Sequence, residues 1–474
     1  MSYNNNLAKQ FYDFAPYFVK MLISSIYGIS QRSKRYGKIY NKQIDMLRDS
    51  QYWTNEELAI YQQDKATAFI LDICKTVPYY KNAGYGDLFA SASDYKNLPI
   101  LTKNQVKQKI QDFYNISLEK VIWGHTSGTT GSAMIFPISM EAYQNEYAFR
   151  HSHYNLGGVS LHKKEKIAFC AGHPVAASGR TRPPFWVHDV INNHMYFSSY
   201  HMSEENLRYY IKKLEEFNPL LLHGYPSSIY LLANAHKRHS RKKLALKSIF
   251  TSSETLLDYQ RKLIEDTFQV KVHNYYGTSE MSAYITECEK GELHLKSEYS
   301  FVEILNSKNQ ACKPGETGRI VSTNFINAAF PLIRYDVGDM VKISSNQASK
   351  CGKNGLLIDY IWGRIENYVY TPEGYMVGRL DHLFKDALNV KEAQIEQRNK
   401  NEVIIRITPG DDYTKDDEIA ILKEARKRLG STIKILFEYV EDIPRTSGGK
   451  FRFVISSLDP THTQYQNSDF QPDF

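Results

Sequence analysis

Up to about residue 100 the apolar positions recur at helical spacing. Phe18, Leu22 and Ile26 fall on one helical face, so 18–27 reads as an amphipathic or buried helix. Trp53-Thr54-Asn55-Glu56-Glu57-Leu58 predicts a helix start, with Thr54 as N-cap and Glu57 three residues on. Asn97-Leu98-Pro99-Ile100 ends this helical lead-in. The rhythm then changes. Short apolar runs at 166–170, 220–225 and 248–251 predict buried strands. They alternate with helical patterns at 203–216, with Ser203 as cap, and at 227–238. Such alternation predicts an α/β core with a largely parallel sheet, whose ligands bind at the carboxyl ends of the strands.

From about 290 to 360, short strands and turns such as Lys313-Pro314-Gly315 predict antiparallel β structure. The texture shifts again after Gly363-Arg364. Residues 365–455 read as a small α+β unit, with a helix at 415–429 and a strand at 432–437. The expected organisation is a large N-terminal domain over 1–363, a C-terminal domain over 364–456 and a polar tail over 457–474. The fold class is α/β, with α/β subdomains and a β-rich subdomain followed by the small α+β domain.

Composition narrows this only a little. A chain of 474 residues exceeds one compact core. With 42% hydrophobic and 23% charged residues it has the make-up of a globular protein. The net charge of +7 is spread along the chain, so nucleic acid is not an expected partner. No apolar run approaches the roughly 18–20 residues of a membrane span. Five cysteines without framework spacing suggest reduced thiols in a cytoplasmic protein.

Candidate chemistry sits where apolar segments end. His125-Thr126-Ser127-Gly128-Thr129-Thr130-Gly131-Ser132 holds four hydroxyls and two glycines between Thr126 and Gly131. Such a run serves as a polar surface turn or as a cradle of hydroxyl and N–H donors for phosphate. It lacks the Gly-Lys-Ser/Thr ending of a P-loop. In Val272-His273-Asn274-Tyr275-Tyr276-Gly277-Thr278-Ser279-Glu280, a tyrosine ring can cover a flat base and Glu280 can hold Mg²⁺. Asp339, past the turn at Gly338, can accept two hydrogen bonds from a ribose diol. Pro444-Arg445-Thr446-Ser447-Gly448-Gly449-Lys450 presents a lysine on a Gly-rich turn. Each alone reads first as a structural turn or a solvated charge; their joint occurrence in this order carries the signal.

That order resembles the adenylate-forming enzymes: acyl-CoA synthetases, luciferases and peptide-synthetase adenylation domains. Val77-Pro78-Tyr79-Tyr80, Leu98-Pro99-Ile100-Leu101-Thr102-Lys103, His223-Gly224-Tyr225-Pro226 and Gly448-Gly449-Lys450-Phe451 resemble one branch. It comprises the phenylacetate–CoA ligase-like and coenzyme F390 synthetase-like proteins, many associated with capsular polysaccharide biosynthesis. The resemblance spans about residues 50–455 and implies ATP and Mg²⁺ as cofactors, with CoA as one possible acceptor. It implies that Thr126, Ser127, Gly128, Thr129, Thr130 and Gly131 wrap the β- and γ-phosphates. Ser253, Glu254 and Tyr276 would lie on the adenine, and Gly277, Thr278 and Ser279 near the α-phosphate. Glu280 would bind Mg²⁺, Asp339 the ribose and Arg364 the nucleotide beside a hinge at Glu366. Lys450 would reach the substrate carboxylate and α-phosphate from a hinged domain.

The implied reaction joins a small-molecule acid to AMP, releases pyrophosphate and passes the acyl group to a thiol, amine or sugar acceptor that the sequence does not identify. Alternatives are adenylylation of a hydroxyl, and a non-catalytic nucleotide-binding scaffold. His173, Arg180, Arg182 and Tyr225 stand as a substrate region, the arginines serving either an anionic acid or the surface. Three departures matter. Met134 stands where many relatives have lysine, and Glu366 where they have aspartate. Of the branch's zinc ligands, Cys288, His294 and Cys351 match while Ser349 replaces the fourth. Three ligands make a poor structural zinc site, so zinc is not expected, with Cys312 as the only substitute.

Overall fold

The computed structural model describes residues 11–458 apart from 116, 119, 127–133, 161–163, 174, 178–179, 200, 203, 241, 254–255, 257, 365–368, 373–375, 378–379, 385–388, 411, 442, 444–453 and 457. The lead-in is helical as expected: α1 (Tyr17–Arg35), α2 (Lys38–Ser50) and α3 (Asn55–Thr76) follow in order. Thr54 caps α3 through a full capping box with Glu57. Of the two readings, amphipathic or buried, α1 is amphipathic, and its apolar face points outward. Lys20, Ser25, Gly28 and Gln31 face inward, whereas Phe18, Leu22 and Ile26 are exposed.

Between Asn97 and the first strand, Arg334 fixes the chain by donating to the carbonyls of Lys96 and Leu98. The hairpin of β1 (Val121–His125) and β2 (Ile135–Ser139) flanks the hydroxyl-rich loop. Helix α4 (Met140–Leu156) follows, its N-terminus capped by the Ser139 hydroxyl.

A single twelve-stranded sheet then organises the chain. Its strands are β3 (Ile167–Ala171), β4 (Trp186–Asp189), β5 (His194–Ser198), β6 (Leu221–Gly224), β7 (Ser248–Ser252) and β8 (Val272–Gly277). They continue as β9 (Tyr284–Glu287), β10 (Leu293–Leu295), β11 (Ser300–Leu305), β12 (Thr317–Asn324), β13 (Tyr335–Ile343) and β14 (Leu357–Arg364). In space β5, β3, β6, β7 and β8 run parallel, joined on their far side by antiparallel β9, β10, β14, β13, β12 and β11. Helices α5 (Glu204–Phe217), α6 (Pro226–His239) and α7 (Asp258–Phe268) cross between parallel strands and share a core with them. The β-rich stretch expected after residue 290 therefore extends the same sheet. Ser203, expected as the α5 cap, lies outside the described residues.

Short β15 (Val369–Tyr370) and β16 (Met376–Val377) precede a second, four-stranded sheet. It orders β19 (Lys434–Tyr439), β18 (Glu402–Pro409), β17 (Val390–Asn399) and β20 (Val454–Ser456), with α8 (Lys415–Leu429) alongside. Ile395, Ile405, Ile421 and Ala425 close a core of their own there. The α/β fold class with a small α+β unit is thus observed. Nearly all of the expected polar tail lies outside the described residues.

Candidate active site

Strand β8 delivers the clearest site residues. Tyr275 is buried, and Tyr276, next along the strand, is half-buried and donates its hydroxyl to Asp339 Oδ2 at 2.6 Å. Asp339 lies on β13, opposite Arg364 of β14. Two motifs 63 residues apart therefore meet. Beyond Gly277 the chain turns: Thr278 Oγ1 accepts the Ser282 N–H at 2.8 Å, and the Thr278 carbonyl accepts the Met281 N–H at 3.0 Å. Ser279 is exposed at this turn. Glu280 follows, 6% exposed, with its Oε1 3.3 Å from Lys103 Nζ and 3.5 Å from the Tyr335 hydroxyl. Lys103 thus holds the carboxylate that the resemblance assigns to Mg²⁺.

At the end of β7, Ser253 takes a left-handed backbone with φ 69°, turning the chain away from the sheet. Thr126 closes the mouth of the hydroxyl-rich loop, donating its N–H to the Met134 carbonyl at 3.0 Å and accepting the Met134 N–H on Oγ1 at 2.9 Å. Met134 is 2% exposed and packs in the main core, so at this position the chain carries packing rather than charge. Ser127, Gly128, Thr129, Thr130, Gly131, Glu254, Glu366 and Lys450 lie outside the described residues.

The residues expected to form a substrate region, His173, Arg180, Arg182 and Tyr225, differ in their surroundings. His173 follows β3; burial, then the charges of Arg35 and Arg150, lower its pKa to about 4. Arg180 donates Nε to the Arg182 carbonyl at 2.8 Å and Nη2 to the Pro183 carbonyl at 3.2 Å, bracing its own loop. Arg182 is exposed. Tyr225 donates its N–H to the Cys170 carbonyl at 3.1 Å, where β3 and β6 approach closely. Gly224 permits that approach, since a Cβ there would stand 2.1 Å from the Cys170 oxygen. Sequence reasoning missed Lys103, Arg35 and Arg150 in these roles. Lys103 had a signal, as the last residue of Leu98-Pro99-Ile100-Leu101-Thr102-Lys103. Arg35 and Arg150 had none, because nothing local ties α1 to α4.

A second cluster lies where the β9–β10 hairpin meets the turn before β14. One ligand atom each from Cys288, Glu292, His294 and Cys351 lies within 4.8 Å of the others. Tetrahedral zinc holds its ligand atoms about 3.3–3.8 Å apart, a contraction that side-chain adjustment can supply. Glu292 offers the fourth group that the sequence reading lacked. It already accepts the Ser349 hydroxyl at 3.2 Å and the Lys350 N–H at 2.9 Å. Cys312 stands apart, with Sγ 3.5 Å from the Thr317 carbonyl.

A family model described as the CapK C-terminal domain matches residues 369–457. Protein CapK of Staphylococcus aureus is 28% identical over 461 residues, covering 94% of this chain and 99% of that protein. A phenylacetate–coenzyme A ligase of Thermus thermophilus is 21% identical, covering 84% of this chain and 96% of that protein. Among solved structures, a 2-hydroxyisobutyryl-CoA ligase in the postadenylation state superposes with a TM-score of 0.57 at 18% identity, covering 87% of this chain and 93% of that one. Among the described residues, no helix is long and apolar enough to cross a membrane. The resemblance to the adenylate-forming enzymes, on the branch with phenylacetate–CoA ligase-like and capsule-associated proteins, is borne out by these relatives and by this fold.

Proposed function

We propose that this chain is an ATP- and Mg²⁺-dependent ligase that activates a carboxylic acid as its acyl-adenylate. The carrying observation is the Tyr276–Asp339 bond beside the buried Glu280, which joins a base-covering ring, a diol acceptor and a cation-binding carboxylate at one strand end. In the reaction, a carboxylate oxygen bonds to the α-phosphorus of ATP as the bridge to the β-phosphate breaks and pyrophosphate leaves. Two anions must approach, and Lys450 would offset that charge. Glu280 would hold Mg²⁺, which supplies further neutralisation of phosphate charge. No protein nucleophile is required.

Division at residues 363/364 would let the C-terminal unit bring Lys450 in for adenylation and withdraw it for transfer to a thiol or amine, CoA among them. Similarity to Protein CapK along nearly the whole chain, together with the branch's association with capsular polysaccharide, supports a role in surface polysaccharide formation. ATP–pyrophosphate exchange with Mg²⁺ over uronic, aromatic, fatty and amino acids tests the reading. Exchange with one acid class, lost in Lys450→Ala, is expected. Absence of exchange with every acid, despite ATP binding, would shift the reading to hydroxyl adenylylation, and absence of ATP binding would leave the scaffold.

The Cys288, Glu292, His294 and Cys351 cluster would hold a zinc ion in a structural role, supported by the donor set and by the fourth ligand from Glu292. Metal analysis of the purified protein should find close to one zinc per chain. Cys351→Ser should remove it and lower thermal stability.

A further inference from the structure

Two arginines that no motif contains stand over one tyrosine ring. Arg35, at the end of α1, places its guanidinium carbon 4.3 Å from the Tyr147 ring centroid, and Arg150 places its own 5.1 Å away. Arg35 donates Nε to the Tyr143 hydroxyl at 3.2 Å and, among the described residues, pairs with no carboxylate. Arg150 has one, Glu146, at 3.3 Å, and Glu146 also accepts the Tyr299 hydroxyl at 2.6 Å. The Nε of Arg150 is buried and has no hydrogen-bond partner. The cluster therefore holds two fixed cations, one carboxylate and an unused buried donor. The Arg150 side chain is 30% exposed, so a dissolved anion can reach this excess of positive charge and complete it.

The same wall leads to the nucleotide segment. Tyr154, one turn beyond Arg150 on α4, brings its hydroxyl within 2.9 Å of His223 Nδ1, and His223 Nε2 lies 3.3 Å from Ser252 Oγ. Ser252 precedes Ser253 at the end of β7. An acid with its reacting carboxylate beside the nucleotide would extend its far end toward the arginines. We infer that the acid activated here carries a second anionic group, bound by Arg35 and Arg150 over Tyr147. This rests on the acid-activating reading above and deepens it to a substrate class.

Direct binding separates the two claims. Succinate against butyrate, glutarate against valerate, and glucuronate 1-phosphate against glucuronate are titrated into the full chain without ATP, by calorimetry and thermal shift. At least one dianion is expected to bind tenfold or more tightly than its monoanionic match. Arg35→Gln and Arg150→Gln should each erase most of that preference, and Arg35→Lys should restore part of it. Equal affinity for every matched pair in the wild type would overturn the inference without any variant needing to fold. So would a preference that survives both glutamine variants with native circular dichroism. Dianion preference without pyrophosphate exchange would instead defeat the ligase reading and leave the anion site standing.

Discussion

Arg334 ties distant parts of the frame together. It is 6% exposed, meets both carboxylate oxygens of Glu303 at 2.8 and 3.1 Å, and donates to the carbonyls of Lys96 and Leu98. One planar fork thus ties the end of the helical lead-in to β11, which a lysine could not do. Arg334→Ala strands the partly buried Glu303 and two carbonyls, and should cost about 3 kcal/mol in urea unfolding. At the site, Tyr276→Phe removes the bond that aims Asp339. It should leave stability nearly unchanged while raising the KM for ATP at least about tenfold, the worth of one hydrogen bond to a charged group. Unchanged ATP kinetics would remove Asp339 from the nucleotide site.

Among the elements, α1 departs furthest from its pattern. Its polar and small residues pack inward because they have specific partners. The Ser25 hydroxyl accepts the Val190 N–H at 3.0 Å, and Lys20 donates to the Asp13 carbonyl at 3.2 Å. Gly28 lies so close to the turn after β4 that a Cβ would stand 2.3 Å from Asp189 Oδ2. Helix and sheet edge therefore touch through a small-residue face, leaving Phe18, Leu22 and Ile26 in solvent. Leu22→Ser should change the unfolding free energy by less than about 0.5 kcal/mol, as at an ordinary surface position. Gly28→Ala, one methyl larger, should destabilise by more than about 1 kcal/mol through overpacking, as read by chemical denaturation. The reverse order would mean that α1 packs by its apolar face after all.

For the molecule as a whole, buried histidines set the response to acid. Burial, followed by nearby arginines, lowers His173 to about 4 and His194 and His223 to about 3. Unfolded histidine titrates near 6.5, so between these values the unfolded chain binds more protons than the folded one. Stability is therefore fully present above about pH 6.5 and is lost as pH falls toward 3–4. Each histidine contributes a slope of up to about 1.4 kcal/mol per pH unit in that window. Urea midpoints should fall steeply from pH 6.5 to 4.5 and stay nearly flat from 7 to 8. His223→Gln should reduce the acid slope by about one proton.

Much of this architecture is legible along the chain. The helix expected over 415–429 is α8 to the residue, β7 differs from its expected strand only by gaining Ser252, and Thr54 caps where its spacing to Glu57 says it should. These features depend on periodicity, capping and turns, interactions that reach only a few residues. The order of the motifs likewise announced the family resemblance and the fold class. Strands β4 and β5 carry histidines and a tryptophan in a short hairpin without a strong turn signal, and went unread. The inward face of α1, the Lys103 contact with Glu280, the approach of Glu292 to Cys288, His294 and Cys351 and the arginine pair over Tyr147 were decided by packing alone. Arg35 meets Tyr143 across 108 residues, and no local pattern encodes which distant surface a side chain will find. Local backbone preferences wrote the elements into the sequence, whereas the paired charge proposed to select a substrate exists only where the folded chain brings two arginines together.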